Sequence, residues 1–224
     1  MKTHFELSAA DYERSRGGHL GRRRRRLVRA ELEAHASAGA TILELGCGPG
    51  GLLAELAETH PALDFVGFDV VPGMIEHARS AHGGENVRFE LVDLAHEHPP
   101  LEAGFAFSID VLHHVHELPS FLEGVRSVLA PRGAWLAIEP NIFHPYIHWS
   151  QARMKRAGLD EDHFRPSAVE PLFRAAGLEV ASRRYAFLFP GWIEHVPRVL
   201  TWVEPGLERS RLMGGSVVYL LEPR

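Results

Sequence analysis

Eight consecutive residues, Glu44-Leu45-Gly46-Cys47-Gly48-Pro49-Gly50-Gly51, concentrate the ligand-binding potential of this chain. Glycine lets the backbone turn sharply and lets a ligand approach the main chain with no Cβ in the way. Gly46, Gly48 and Gly51 satisfy the spacing G-x-G-x-x-G, and Asp69 follows 21 residues after Gly48. An acid at that distance accepts hydrogen bonds from ribose hydroxyls. Two ligands meet these requirements: a nicotinamide dinucleotide, whose pyrophosphate would rest on the glycine loop, and S-adenosylmethionine, which has the ribose and no pyrophosphate. Glu44 separates them, because its carboxylate beside the loop repels a pyrophosphate and suits a sulfonium cation. A short-chain dehydrogenase would also need a tyrosine four residues before a lysine, and Tyr12, Tyr146, Tyr185 and Tyr219 all lack it. S-adenosylmethionine is the expected cofactor.

Proton-transfer candidates lie further along. His113 and His114 are adjacent, with His116 and Glu117 just beyond. Histidine titrates near neutrality and suits proton removal there, although one ring of such a pair could equally be structural. Glu139 is a second candidate base. The fifteen histidines raise the question of a metal. His144 and His148 are four apart, but Pro145 stands where a zinc protease needs glutamate, and His96-Glu97-His98 reads as an exposed loop. No metal is expected.

The elements that must position these groups are readable from periodicity. Strand-like runs at Thr41–Leu45, Asp64–Asp69, Val87–Val92, Phe105–Asp110 and Ala134–Ile138 alternate with helix-like runs at Gly51–His60, Gly73–His82 and Pro119–Ala130. Alternation of this kind predicts right-handed crossovers and a mostly parallel sheet with helices on both faces, an α/β three-layer sandwich. Ser167–Ala176 is a further predicted helix with Ser167 as N-cap and Gly177 at its C-terminal end. Leu178–Phe189 and Ser216–Leu221 read as strands that pair antiparallel at a sheet edge. Asn141–Asp162 has no clean period.

Composition removes several classes. The chain has 224 residues, 45% hydrophobic and 24% charged, with a formal net charge of −5; this is ordinary globular composition. One cysteine, Cys47, rules out a disulfide framework or a multi-thiolate metal site and suits a reducing cytosol. Of the 24 cationic residues all but Lys2 and Lys155 are arginine, which argues against Schiff-base chemistry and a P-loop. No apolar run is long enough to span a bilayer, and the N-terminus lacks the apolar core of a signal peptide. A cytoplasmic protein of one domain is expected, with residues 1–38 as a helical cap and 140–166 and 188–215 as substrate-side insertions.

Taken together, these motifs resemble the class I S-adenosylmethionine-dependent methyltransferases, in their small-molecule branch. Ile42–Leu52 (ILELGCGPGGL) is similar to that family's first motif, and Phe65–Asp69 followed by Val70-Val71-Pro72-Gly73-Met74 to its ribose-binding segment. Asn86–Asp93 (NVRFELVD) resembles the segment whose final aspartate receives the adenine amino group, and Ser108–Val115 (SIDVLHHV) the fourth-strand motif. Gly104-Phe105-Ala106 departs from the aspartate usual near the start of that strand. The resemblance implies a Rossmann-like, seven-stranded sheet whose last strand is antiparallel. It also implies cofactor contacts from Tyr12, Arg16, Glu44, Gly46, Gly48, Asp69, Val70, Asp93, Leu94 and Ser108.

The acceptor side is less defined. Methyl transfer needs a lone pair on the acceptor, which makes His113 and His114 the catalytic candidates. Pro140–Trp149 (PNIFHPYIHW) is the candidate substrate pocket, with Glu139, His144, Tyr146 and Trp149 as its residues, though the aromatics would serve packing equally well. Phe187–Trp192 and Trp202 could extend the pocket as a lid; as a membrane-surface patch they lack the basic amphipathic face that favours such contact. Arg22–Arg26 could attract RNA phosphates, but Leu20, Leu27 and Val28 favour the solvated face of a helix. The expected activity is methylation of an oxygen or nitrogen atom of a small molecule, with RNA methylation or a catalytically silent cofactor-binding protein as alternatives.

Overall fold

The computed structural model describes residues 18–156, 165–191 and 193–224. Helix α1 (His19–His35) leads into strand β1 (Thr41–Leu45), then α2 (Gly51–Thr59), β2 (Asp64–Asp69), α3 (Pro72–His82), β3 (Val87–Leu91) and β4 (Ala103–Ile109). A short 3-10 turn, Leu112–His114, precedes α4 (Leu118–Val128) and the long β5 (Leu129–Pro140). The remainder is α5 (Pro145–Arg156), α6 (Pro166–Ala175), β6 (Leu178–Ala186), α7 (Arg198–Leu207) and β7 (Ser216–Pro223).

The seven strands form one sheet in the order β3-β2-β1-β4-β5-β7-β6. The first five in that order run parallel, and β7 is antiparallel to both neighbours. Chain order reverses between β1 and β4, and a crevice opens outside the carboxyl ends of strands at such a point.

Side-chain alternation divides the core into two layers. Leu43 and Leu45 of β1 face one side, where they meet Leu122, Val125 and Val128 of α4 and Phe173 of α6. Ile42 faces the other, against Val28 and Leu32 of α1, Leu53 and Leu56 of α2, and Ile75 of α3. From Phe105 on, β4 follows the same rule, with Ala106 on the α4 side and Phe105 and Phe107 on the α1 side; an irregularity between Ala103 and Phe105 puts Ala103 on the α4 side as well. Trp135 of β5 is fully buried, and its indole N–H donates to Ser108 Oγ at 3.1 Å. A buried indole needs such an acceptor, so the Ser108 hydroxyl is engaged inside the sheet layer.

Two expectations require correction. α6 begins at Pro166 with Arg165 at the N-cap position and no side-chain cap. Proline fits the first turn of a helix, where its missing N–H costs nothing, so Ser167 lies within the helix and not at its cap. The stretch without a clean period contains the twelve-residue α5. Gly177, at φ +76, does follow the end of α6 as expected.

Candidate active site

The loop from β1 into α2 is built on left-handed glycines. Gly46 has φ +67, and a Cβ there would meet Val111 Cγ2 at 2.5 Å. Gly50, at φ +87, is the N-cap of α2, and a Cβ there would meet the Phe89 ring at 2.7 Å. Both conformation and space therefore demand glycine. Asp69, at the end of β2, fastens this loop: its two carboxylate oxygens accept from Gly48 N–H at 2.8 Å and Val71 N–H at 2.9 Å. Burial pushes Asp69 above the usual carboxylate range, and these N–H groups pull it back. With about four acceptor directions on its two oxygens, the carboxylate has capacity beyond the N–H groups of Gly48, Val70 and Val71 for a ligand hydroxyl.

Two cavities open at the strand tips. The first, about 380 Å³, is lined by Gly48, Asp69, Val70, Met74, Asp93 and Leu94 among others. Asp93 accepts from Ala95 N–H at 3.0 Å and contacts His96 Nδ1 at 3.0 Å, a bond that raises the pKa of the exposed His96. The second cavity, about 720 Å³, is walled by Leu20 and Arg24 of α1, Glu44, His113, Tyr146, and the Phe187–Gly191 segment. Gly46, Ile109, Asp110 and His114 line both, so the two meet at the glycine loop. Burial, with the charges of Glu44 and Asp69, pushes the Cys47 thiol far up, which keeps it protonated and unreactive.

At the junction sits a buried polar pair. His113 Nδ1 lies 2.8 Å from Glu139 Oε2, while Glu139 Oε1 accepts from Val111 N–H at 3.0 Å and Leu112 N–H at 2.9 Å. A carboxylate only accepts, so Nδ1 carries the proton in this bond, and the His113 ring lines the second cavity. His114 packs against His113 with ring centroids 4.0 Å apart.

Sequence reasoning undervalued two residues here, Arg24 and Asp110. Asp110, at φ +59, takes a bidentate grip from Arg24 at 2.6 and 2.9 Å. Its only signal was a carboxylate directly after the fourth strand. Arg23 and Arg25 of the run also turn to carboxylates, and Arg22 donates to the Glu194 carbonyl. Arg23 chelates Glu208 and reaches Glu204 at 2.6 Å, and Arg25 lies 3.6 Å from Glu55. The expected solvated face is therefore divided: Arg23 and Arg24 turn inward, Arg25 pairs with Glu55 at the surface, and Arg22 and Arg26 are exposed.

The other expected residues distribute unevenly. Gly46, Gly48, Asp69, Val70, Asp93 and Leu94 line the first cavity, and Glu44, His144 and Tyr146 the second. Tyr12 and Arg16 lie outside the described residues, as does Trp192. Three residues fall away from the expected place. Ser108 is bound to Trp135 and lines neither large cavity. Glu139 lines neither large cavity and borders, with His113, Val169 and Tyr219, a small space of about 10 Å³. Trp149 is 57% exposed, because the helical period of α5 turns Tyr146, Ile147, Ser150 and Met154 inward and Trp149 outward. His144 is buried at the start of α5 while His148 is exposed. Among the described residues no group of three or more histidine, cysteine or acidic side chains is placed to hold a metal ion, and no helix is long and apolar enough to cross a membrane.

Comparison with known proteins places this geometry. A trans-aconitate 2-methyltransferase of Methylobacterium nodulans is 34% identical over 103 residues, covering 46% of this chain and 39% of that protein. The chain spans less than half the length of the curated relatives it matches. Among solved structures, the Haloferax volcanii chain in complex with the Trm112 methyltransferase activator superposes with a TM-score of 0.71 at 20% identity, covering 100% of this chain and 99% of that one. The N-methyltransferase NodS of Bradyrhizobium japonicum, solved with S-adenosyl-L-homocysteine, gives 0.63 at 15% identity, covering 92% and 88%. The family model described as a methyltransferase domain matches residues 17–183, and the chain belongs to that family, the class I S-adenosylmethionine-dependent methyltransferases.

Proposed function

We propose that this chain transfers the methyl group of S-adenosylmethionine to an oxygen or nitrogen atom of a small-molecule acceptor, working as a single domain in the cytoplasm. The observation that carries this reading is the meeting of two cavities at Gly46, one edged by Asp69 and Asp93, the other walled by His113 and Tyr146. The residues present fit the cofactor: Asp69 has spare lone pairs for ribose hydroxyls, and the buried carboxylate of Glu44 beside the loop suits a cationic ligand.

S-adenosylmethionine supplies a methyl group already activated on a sulfonium, which leaves the chain to bind, orient, exclude water and manage a proton. Asp93, Leu94 and Val70, which line the first cavity, would hold the adenine end, and Glu44 would face the methionine end. On the acceptor side Leu20, Ile147, Met154, Phe187 and Phe189 supply apolar walls. Confining the acceptor in near-attack geometry is worth roughly 7–11 kcal/mol. His113 takes the acceptor proton at Nε2, and Glu139 is a positioning residue that holds the ring in the required tautomer. The relative named for trans-aconitate supports a small acceptor. The charges of Arg23, Arg24 and Arg25 are matched by carboxylates, which favours this reading over RNA.

The test is incubation of cell extract with methyl-labelled cofactor, with and without nuclease. Label in a low-mass organic product that survives nuclease is the expected result. Label that disappears with nuclease overturns the acceptor class, and no label above that of an Asp69→Ala control overturns the activity.

A further inference from the structure

Helix α7 and the turn after it carry a face that the active site does not use. From Arg198 to Met213 the side chains of Val199, Trp202, Val203, Leu207, Leu212 and Met213 are exposed, Trp202 at 87%. Within α7, Val199, Trp202 and Val203 are three and four residues apart, so they form one stripe. The same span contains two acids, Glu204 and Glu208, and both are buried. Glu204 meets His19 at 2.9 Å and Arg23 at 2.6 Å; Glu208 is chelated by Arg23 and also accepts from Phe187 N–H at 2.9 Å. With the acids turned inward, the charges left outside on this span are Arg198, Arg209 and Arg211, all exposed. Arg211 additionally lies over the Phe143 ring, 3.7 Å from its centroid.

We propose that this face docks reversibly on an anionic phospholipid bilayer. The argument is charge complementarity. A helix with an apolar stripe bearing tryptophan, flanked by arginines, lies in the interfacial plane of a membrane, and attraction to anionic headgroups adds to apolar burial. Read linearly, the acids at 204 and 208 cancel the arginines; folding removes them from the surface. The docking face also has a fixed relation to the acceptor cavity. Its inner side is pinned to His19 and Arg23 of α1, and the neighbouring Leu20, Gly21 and Arg24 wall that cavity. Docking would therefore bring the cavity close to the bilayer. The inference stands independently of the methyl-transfer reading.

The test uses the full chain with extruded vesicles of phosphatidylcholine alone and of phosphatidylcholine mixed with phosphatidylglycerol, read by co-sedimentation. Binding to the mixed vesicles that weakens with salt, with little binding to the neutral ones, is the expected result. Arg198→Glu combined with Arg209→Glu should lower the bound fraction by about tenfold or more, and Trp202→Ser by several-fold. These side chains are exposed, so folding is expected to survive, as a thermal melt would verify. Absence of binding to mixed vesicles overturns the proposal, as does equal binding by wild type and both variants. A dimer in sedimentation velocity that Trp202→Ser abolishes, without vesicle binding, would reassign the face to a second copy of the chain.

Discussion

The two cavities that meet at Gly46 are built in different ways. The first takes its walls from the ends of β1, β2 and β4 and the segment after β3, and its shape is fixed by left-handed glycines and by backbone N–H groups donating to Asp69. The second takes its walls from α1, α5 and the Phe187–Gly191 segment, which the chain must bring together from three distant stretches. Those stretches are held by partly buried charge pairs: Arg24 to Asp110, and Arg23 with His19 to the buried Glu204 and Glu208. A backbone-built cavity belongs to the sheet and persists while the sheet does. A cavity walled by ion-paired segments can be altered without touching the sheet, and so can vary in substrate.

His113 stands at the junction and offers the strongest test of that separation. Removing a general base typically costs a factor of about 10²–10⁴, so His113→Ala should lower kcat by roughly 10³-fold. Cofactor affinity by calorimetry should change less than about twofold, because the first cavity does not include His113. Glu139→Gln should also lower kcat, with a shifted pH–rate profile, since an amide can present either a donor or an acceptor to Nδ1 and no longer fixes the tautomer. If both variants keep wild-type kcat, the dyad plays no part in proton transfer. If His113→Ala weakens the cofactor as much as turnover, the two cavities are not independently built.

The ion pairs that hold the second cavity give the next largest effect. Arg23→Ala leaves Glu208 without its cation and Glu204, 2% exposed, with His19 alone, and stranding a buried charge destabilises a fold by about 3 kcal/mol or more. Urea unfolding should show a lower midpoint, with Arg23→Lys recovering only part of it because an ammonium cannot chelate two carboxylates in a plane. Arg26→Ala, on the exposed side of the same run, should be nearly neutral. Equal losses for Arg23 and Arg26 would mean that the run acts by bulk charge.

Legibility in the sequence follows the same division. β1 to β5 with their crossovers, and the glycine loop with Asp69, are specified within a few dozen residues by periodicity and glycine spacing, and the structure has them in the expected order, with β5 longer than its pattern, Leu129–Pro140 against Ala134–Ile138. The second cavity depends on partners such as Arg23 and Glu208, 185 residues apart, and no local pattern announces such a pair. The arginine run therefore looked solvated. Trp149 looked like a pocket residue because Asn141–Asp162 shows no clean period, and only the helix Pro145–Arg156 decides which side chains face inward. Ser108 sits in a motif that resembles a cofactor segment, yet the need of a buried Trp135 indole for an acceptor, 27 residues away, claims its hydroxyl. Tertiary demands overrode local resemblance at each of these places.

Asp69→Ala sharpens the comparison from the other side. Ribose hydroxyls lose a charged acceptor, and Gly48 and Val71 lose theirs. Calorimetric affinity for the cofactor should fall at least about tenfold, near 1.4 kcal/mol, while the urea midpoint moves less than for Arg23→Ala. An unchanged affinity in the folded variant would remove Asp69 from the ligand site.

The smallest effect concerns His144, on the second cavity. Its ring is buried, its Nδ1 has no hydrogen-bond partner, and burial holds its pKa below the usual histidine value. In the unfolded chain the ring titrates near 6.5. As pH falls through that value, the unfolded state binds a proton that the folded ring resists, so the unfolded state gains and stability declines. The decline continues until the lowered folded pKa is reached; well above 6.5 both states are neutral and the ring adds no pH dependence. The melting temperature of the wild type should therefore fall more between pH 7.5 and 5.5 than that of His144→Phe, by a few degrees at most. The sign is what matters, because a ring held by an acid partner would have its pKa raised and would stabilise the fold on acidification. A steeper acid-side loss in the variant than in the wild type would mean that His144 is paired with a carboxylate and that this wall of the second cavity, too, rests on an ion pair.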